Sequence, residues 1–256
     1  MRKLFVLLVA LAAVAIAASP ANAVLYGQPD EGEHPYVGVV RFFDEDGNYL
    51  WRCTGTLIAP KVLLTAGHCT FGTASAEVWF TETAPSTAEI LSGDYTAGIT
   101  GTPYVYPGYD DFATFPNTGD VGIVVLDKAV RLDTYASLPE PGLVETLYKH
   151  ETFEIVGYGI QDTQPAQVAE VRRLKATVKL ISLQSGYSAG FNLQVSSNKG
   201  KPHQGGLCFG DSGGPVLYGT TILAVNSFVI NENCAGAGYS YRIDQPEILA
   251  WIESFL

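Results

Sequence analysis

The chain has 256 residues, 47% hydrophobic and only 16% charged, enough to bury one sizeable core or two tightly joined halves. Twenty-six acidic residues against 15 Lys and Arg give a formal charge of −11, and no run of the sequence resembles a basic patch, which excludes nucleic acid as a partner. Acidity of this kind suits solubility and identifies no substrate.

Residues 1–23 read as a leader. Arg2 and Lys3 supply a positive start, residues 4–18 an apolar run, and Ala21-Asn22-Ala23 a small-residue cleavage site. The run is shorter than the ~20 residues that a membrane span needs. The expectation is an exported protein, secreted or periplasmic, cut between Ala23 and Val24 and free of the membrane afterwards. Short runs rich in β-branched and aromatic residues follow at 37–43, 56–58, 62–65, 76–80, 121–126, 153–156, 175–181, 215–218 and 222–228. Gly, Pro, Asn and Asp separate them, as in Asp44-Glu45-Asp46-Gly47-Asn48. Only the end reads as a helix, with Asp244 as its cap, Glu247 completing a capping-box pair, and Ile248, Leu249, Trp251, Ile252 and Phe255 on one core-facing stripe. No repeat or flexible linker is visible; Leu138-Pro139-Glu140-Pro141-Gly142 is the best crossing between two halves.

The four cysteines of an exported chain predict two disulfides, with three pairings open. No C-x-x-C spacing suggests a metal. Cys53 and Cys69 bracket an apolar hairpin at 54–64, and Cys69 adjoins His68. Cys208 lies four residues before Ser212, and Cys234 lies beyond the next strand pair.

Gly210-Asp211-Ser212-Gly213-Gly214-Pro215 places a serine on a glycine-flanked turn, where its hydroxyl is exposed and backbone N–H groups are free to bind an anion. Alone, this is a Gly-rich turn or the nucleophile elbow of an α/β-hydrolase. A serine hydroxyl needs an adjacent base, and the base an orienting acid. All four histidines (His34, His68, His150 and His203) precede Ser212, which excludes the α/β-hydrolase order. An order of acid, histidine, serine using Asp30 or Asp44 would need alternating helices and parallel strands, which are not apparent. His68, an acid and Ser212 remain. Asp120 is the best-placed acid, since it opens the most apolar strand, 121–126; Asp110, Asp111 and Asp127 compete. The other histidines, His34, His150 and His203, are expected at the surface.

Thr65-Ala66-Gly67-His68-Cys69 and the Ser212 stretch together resemble the histidine and serine signatures of the chymotrypsin/trypsin-like serine peptidases. The similarity runs from about Val24 to the C-terminus. Tyr106-Pro107-Gly108-Tyr109, Val156-Gly157-Tyr158-Gly159 and Trp251-Ile252 support it, while Gly67 stands where the family usually has alanine. The resemblance implies an all-β fold of two antiparallel β-barrels, about 24–138 and 139–256, with a C-terminal helix and the site in the cleft between them. It implies a triad of His68, Asp120 and Ser212, an oxyanion hole from the Gly210 and Ser212 N–H groups, and disulfides Cys53–Cys69 and Cys208–Cys234. It also places the base of the primary pocket at Gly206 and its walls at Val229 and Gly238, beside Ser227 and Phe228. Without an acid there, small or medium apolar residues are expected at the cleavage site. In the family a newly exposed N-terminal amine pairs with the aspartate before the nucleophile, here Val24 with Asp211. No cofactor is required, and Glu77, Glu82 and Glu89 are too weak a pattern for the calcium loop of some relatives. The expectation is a monomeric secreted endopeptidase acting on protein or peptide substrates. A catalytically inactive binding protein of the same fold and an esterase with the same triad are the alternatives.

Overall fold

The computed structural model describes residues 24–163, 170–198 and 204–256. The leader at residues 1–23 and His203 lie outside the described residues.

Extended segments satisfy their backbone polar groups only by pairing, and a sheet that closes on itself leaves no unpaired edge. After a two-residue strand β1 (Gln28–Pro29), six antiparallel strands close in this way. They are β2 (Val37–Phe43), β3 (Tyr49–Ala59), β4 (Val62–Thr65), β5 (Ser75–Trp79), β6 (Ile99–Val105) and β7 (Gly122–Leu126), in the spatial order β2-β3-β4-β7-β6-β5. The second ring runs β8-β9-β10-β13-β12-β11 and closes through β11 on β8. Its members are β8 (Thr152–Gly157), β9 (Leu174–Ser182), β10 (Asn192–Ser197), β11 (Pro215–Tyr218), β12 (Thr221–Val229) and β13 (Gly236–Arg242). Val40, Leu57, Leu64 and Ile123 fill the first barrel, and Ile155, Leu174, Leu193 and Val216 the second. The expected all-β, two-barrel architecture is present.

Strands β6, β10 and β13 are additions to the sequence reading. Pro103 interrupts β6, four of the six residues of β10 are polar, and β13 opens on Gly-Ala-Gly. The apolar content of each is low, and each is held between two partner strands of its barrel. Three helices are short: α1 (Gly67–Thr70), α2 (Thr87–Ser92) and α3 (Pro246–Glu253). The apolar stripe of α3 packs inward as expected, with Trp251 edge-on to Tyr106 and Phe255 tilted against Tyr104 on the first barrel's β6 side. Its cap differs from expectation. Gln245 occupies the cap position without a side-chain bond, and Pro246 starts the helix. Asp244 is claimed elsewhere: it accepts from Val144 N–H at 2.8 Å and pairs with the buried Arg242 guanidinium at 2.9 Å.

The first residues of the described chain join the second barrel. Val24 sits in its core, and Gln28 and Pro29 pair with Lys175 and Leu174 of β9. His34, expected at the surface, is buried. Its Nδ1 lies 2.5 Å from Asp30 and its Nε2 3.0 Å from Glu154. Asp30 in turn accepts from Arg173 Nε at 2.8 Å. Two carboxylates, one of them far along the chain, make burial of the imidazole tolerable. His150 is exposed.

Candidate active site

β4 delivers the chain from the first barrel's core to Ala66, and the single turn α1 then carries His68 to the cleft. Gly67 is confined there, since a Cβ at this position would lie 3.0 Å from the Tyr109 ring and the Val121 nitrogen. A residue with a side chain would press on the backbone that leads out of Asp120. Asp120 is fully buried at the mouth of β7. Its carboxylate accepts the His68 backbone N–H at 2.8 Å and faces the ring Nδ1 at 2.9 and 3.1 Å. Ser227 Oγ donates a further, short hydrogen bond to Asp120 Oδ2. A carboxylate only accepts, so Nδ1 carries the proton and Nε2 is left as the basic nitrogen. Burial works against charge on both groups, but their mutual attraction and hydrogen bonds outweigh it. Asp120 is held below the usual carboxylate range, and His68 is raised, with a contribution from the charge of Asp111.

Ser212 lies on the loop between Cys208 and β11, and both barrels grip that loop. From the first barrel, Thr54 N–H donates to Ser212 C=O at 2.8 Å and Thr54 Oγ to Gly210 C=O at 2.9 Å. From the second, Gly213 N–H donates to Asn226 C=O at 2.7 Å. Gly210 has φ +97°, a conformation that side-chain-bearing residues rarely adopt, and it turns the loop beneath the cleft. Among the described residues, neither Gly210 nor Ser212 donates its N–H to a backbone carbonyl.

Asp211 points the other way, into the protein. It is fully buried and accepts from Gly159 N–H at 2.8 Å and Cys208 N–H at 2.9 Å. Burial pushes its pKa up to about 7, against the pull of those two bonds and of the Arg52 charge. Val24 is buried nearby in sequence terms only through Leu25, which bridges Gly206. With Ala23 attached the Val24 nitrogen is a peptide nitrogen, and no hydrogen bond or ion pair joins Val24 to Asp211 among the described residues. The disulfides Cys53–Cys69 and Cys208–Cys234 are both formed, one beside each catalytic loop.

His68, Ser212, Ser227, Phe228 and Val229 line one cavity of about 400 Å³. Gly206 and Gly238 stand behind its wall. A Cβ at Gly206 would fall 1.8 Å from Ser197 Oγ, and one at Gly238 would fall 2.4 Å from the Leu207 side chain. Leu207 lines the cavity in their stead, a residue that the sequence reading passed over because its neighbour Gly206 held the expected place. Phe112 was also passed over. It lies 6.0 Å from the His68 ring and packs edge-on against Phe228 and Tyr109. Both Phe112 and Asp111 have positive φ, and nothing in a local sequence pattern announces that turn.

Cys53, His68 and Cys69 approach one another as metal ligands would, but both thiols are consumed in the disulfide. The three glutamates of the weak calcium pattern have protein donors. Glu77 accepts from Gly98 N–H, Glu82 pairs with Arg173, and Glu89 closes the capping box of α2.

Comparison with known proteins agrees with this geometry. Residues 27–252 match the family model described as trypsin. Brachyurin of Leptuca pugilator is 26% identical over 212 residues, which cover 80% of this chain and 88% of that protein. A trypsin of Saccharopolyspora erythraea is 28% identical over 213 residues, covering 80% and 85%. The solved structure of HL collagenase superposes with a TM-score of 0.71 at 19% identity, over 91% of this chain and 98% of that one. With a family match across nearly all of the described chain and the double barrel that goes with it, the protein belongs to the trypsin family of serine proteases.

Proposed function

We propose that the protein is a secreted endopeptidase that hydrolyses peptide bonds through His68, Asp120 and Ser212. The observation that carries this reading is the Asp120–His68 pair at 2.9 Å with Ser212 in the same cavity, above two unengaged N–H groups. His68 Nε2 takes the Ser212 proton as Oγ attacks the substrate carbonyl, then delivers it to the leaving amine. Asp120 fixes the tautomer and stabilises the imidazolium. The Gly210 and Ser212 N–H groups bind the oxyanion, where losing one donor typically costs ~10²–10³ in turnover. Water then hydrolyses the acyl-enzyme. Leu207 and Val229 close the pocket to long side chains and offer no charge, which supports cleavage after small or medium apolar residues. A single methylene in such a pocket is worth about 1–3 kcal/mol, so that preference is graded. Maturation between Ala23 and Val24 supplies an amine for Asp211, whose buried carboxylate has no ion-pair partner among the described residues.

A fluorophosphonate probe should label wild-type protein on Ser212 and casein should be cleaved. Ser212→Ala should abolish both while folding normally, and His68→Ala should be non-additive with it because the two act as a unit. Retention of peptide hydrolysis by Ser212→Ala would overturn the triad. An unlabelled wild type would favour a binding protein, and cleavage of simple esters without casein an esterase.

A further inference from the structure

The buried cations of this acidic protein are spoken for. Arg173 pairs with Asp30 and Glu82, Lys175 with Glu33, and Arg242 with Asp244. Arg41, fully buried on β2, donates to Pro85 C=O and feels the charge of Glu77 across the sheet. Arg52 on β3 is different. It is half-buried, yet its guanidinium makes no hydrogen bond or ion pair among the described residues. Its register partner on β2 is Arg41, so two like charges stand directly opposite, an arrangement that costs stability. Among the described residues Tyr49 and then Asp211 draw its charge, and the Asp211 carboxylate is already held by two backbone N–H groups.

The position of Arg52 gives the cost a use. Alternate residues of a strand share a face, so Arg52 points as Thr54 does, and Thr54 touches Gly210. Arg52 Nε accordingly lies 3.3 Å from the place a Gly210 Cβ would occupy, against the loop proposed to bind the oxyanion. That loop is bonded to β3 on one side and β12 on the other. Leu207, Phe228 and Val229 form the apolar pocket on the β12 side, which takes the acyl half of a substrate. The leaving half must then run past β3, where Trp51 lines the cavity and Arg52 follows it. An extended chain advances about 3.3–3.6 Å per residue, so one or two residues beyond the scissile bond bring a side chain alongside Arg52.

We propose that Arg52 binds a carboxylate on the leaving-group side of the scissile bond, so that substrates carrying Asp or Glu one or two residues beyond it are preferred. A free C-terminal carboxylate at the same distance offers the same chemistry. The proposal rests on the peptidase reading given above. A guanidinium suits this task because its planar fork meets both carboxylate oxygens.

The test uses the mature protein and internally quenched peptides with one fixed acyl half. Their first or second leaving-group residue is Glu, Gln or Lys, and the C-terminus is amidated. A second series ends in a free acid or an amide at those same positions. Wild type should favour Glu over Gln in kcat/KM by roughly five- to tenfold, the reach of one partly desolvated charge pair, and Lys should be worst. The ratio should shrink in 0.5 M salt, where exposed charges are screened. Arg52→Lys should keep the order of preference, Arg52→Gln should level it, and Arg52→Glu should invert it toward Lys. The free-acid series separates the two sources: a gain there alone would mark a terminal carboxylate, and a gain with internal Glu a side chain. Equal rates for Glu, Gln and Lys with no gain from a free C-terminus in the wild type, or a carboxylate preference that survives Arg52→Glu, would overturn the assignment. Those outcomes leave the peptidase reading standing, whereas no cleavage of any peptide would remove both.

Discussion

Asp120 has to be a carboxylate and not merely a hydrogen-bonding side chain. Its oxygens accept simultaneously from His68 Nδ1, the His68 backbone and Ser227 Oγ, and an amide has only one accepting oxygen to meet them. In Asp120→Asn the NH₂ group facing the ring would donate to Nδ1 and drive the ring proton to Nε2, leaving no base for Ser212. Turnover should fall by on the order of 10⁴, the loss known when the orienting acid of such a triad becomes an amide. The pH profile separates this from damage to the fold. Wild-type kcat/KM should rise with pH through a His68 pKa raised above the ordinary imidazole value of 6.5, because only neutral imidazole is a base. Without the Asp120 charge that midpoint should move down. A variant with reduced turnover and the wild-type midpoint would show that Asp120 does not face His68 as described.

At the scale of elements, legibility followed how local the physics is. The His68 and Ser212 turns were readable because their chemistry dictates adjacent residues: a positive-φ glycine before the nucleophile and a cysteine after the histidine. The most apolar strands and the stripe of α3 were readable from composition and periodicity. β6, β10 and β13 were not, since a proline, polar residues and glycines dilute their apolar content and only pairing with two neighbouring strands each makes them strands. The cap of α3 failed for a similar reason, Asp244 being drawn away by Arg242 and Val144. His34 illustrates it best. Asp30 is four residues away, but Glu154 arrives from β8, and no local pattern foretells it. Burial disfavours charging His34, yet the bonds and charges of those two acids outweigh it and lift its pKa to about 9. A raised imidazole stabilises the fold fully below its unfolded value near 6.5, and the contribution disappears as pH rises through 9. Asp30, Glu33, Glu154, Arg173 and Lys175 share this neighbourhood, and despite burial Asp30 is held below the usual carboxylate range by its bonds to His34 and the charge of Arg173. His34→Gln should therefore cost up to roughly 3 kcal/mol in urea unfolding at pH 6 and little at pH 10. An equal loss at both pH values would mean that the cluster acts by packing and not by charge.

For the whole molecule, the proposed cut before Val24 would act on the site through the N-terminal segment. Val24 lies in the core of the second barrel, Leu25 bridges Gly206, β1 pairs with β9, and His34 anchors the segment to β8. The start of the segment is thus fixed close to the loop that carries Asp211. In the uncut chain that buried aspartate has its pKa raised to about 7, so it stabilises the fold only when protonated. The effect is complete below the unfolded carboxylate value near 4 and is lost as pH rises through 7, a penalty on the order of 4 kcal/mol at higher pH. An amine released at Val24 would remove that penalty and hold Asp211 ionised, and the pair in turn would raise the amine above the ~7.7–8.0 of a free terminus. Mature protein should accordingly be more stable and more active at pH 7 than a form retaining Ala23. The gap in stability should narrow toward pH 4, where Asp211 of the uncut form is neutral and carries no penalty, and activity of the mature form should fall as pH rises through the amine's folded value. Asp211→Asn should impair the mature enzyme at neutral pH, because it leaves the buried amine charged and unpaired. N-terminal sequencing of the exported protein and calorimetry of both forms at pH 4 and 7 decide the matter. A mature start other than Val24, or full activity with Ala23 retained, would separate maturation from the site.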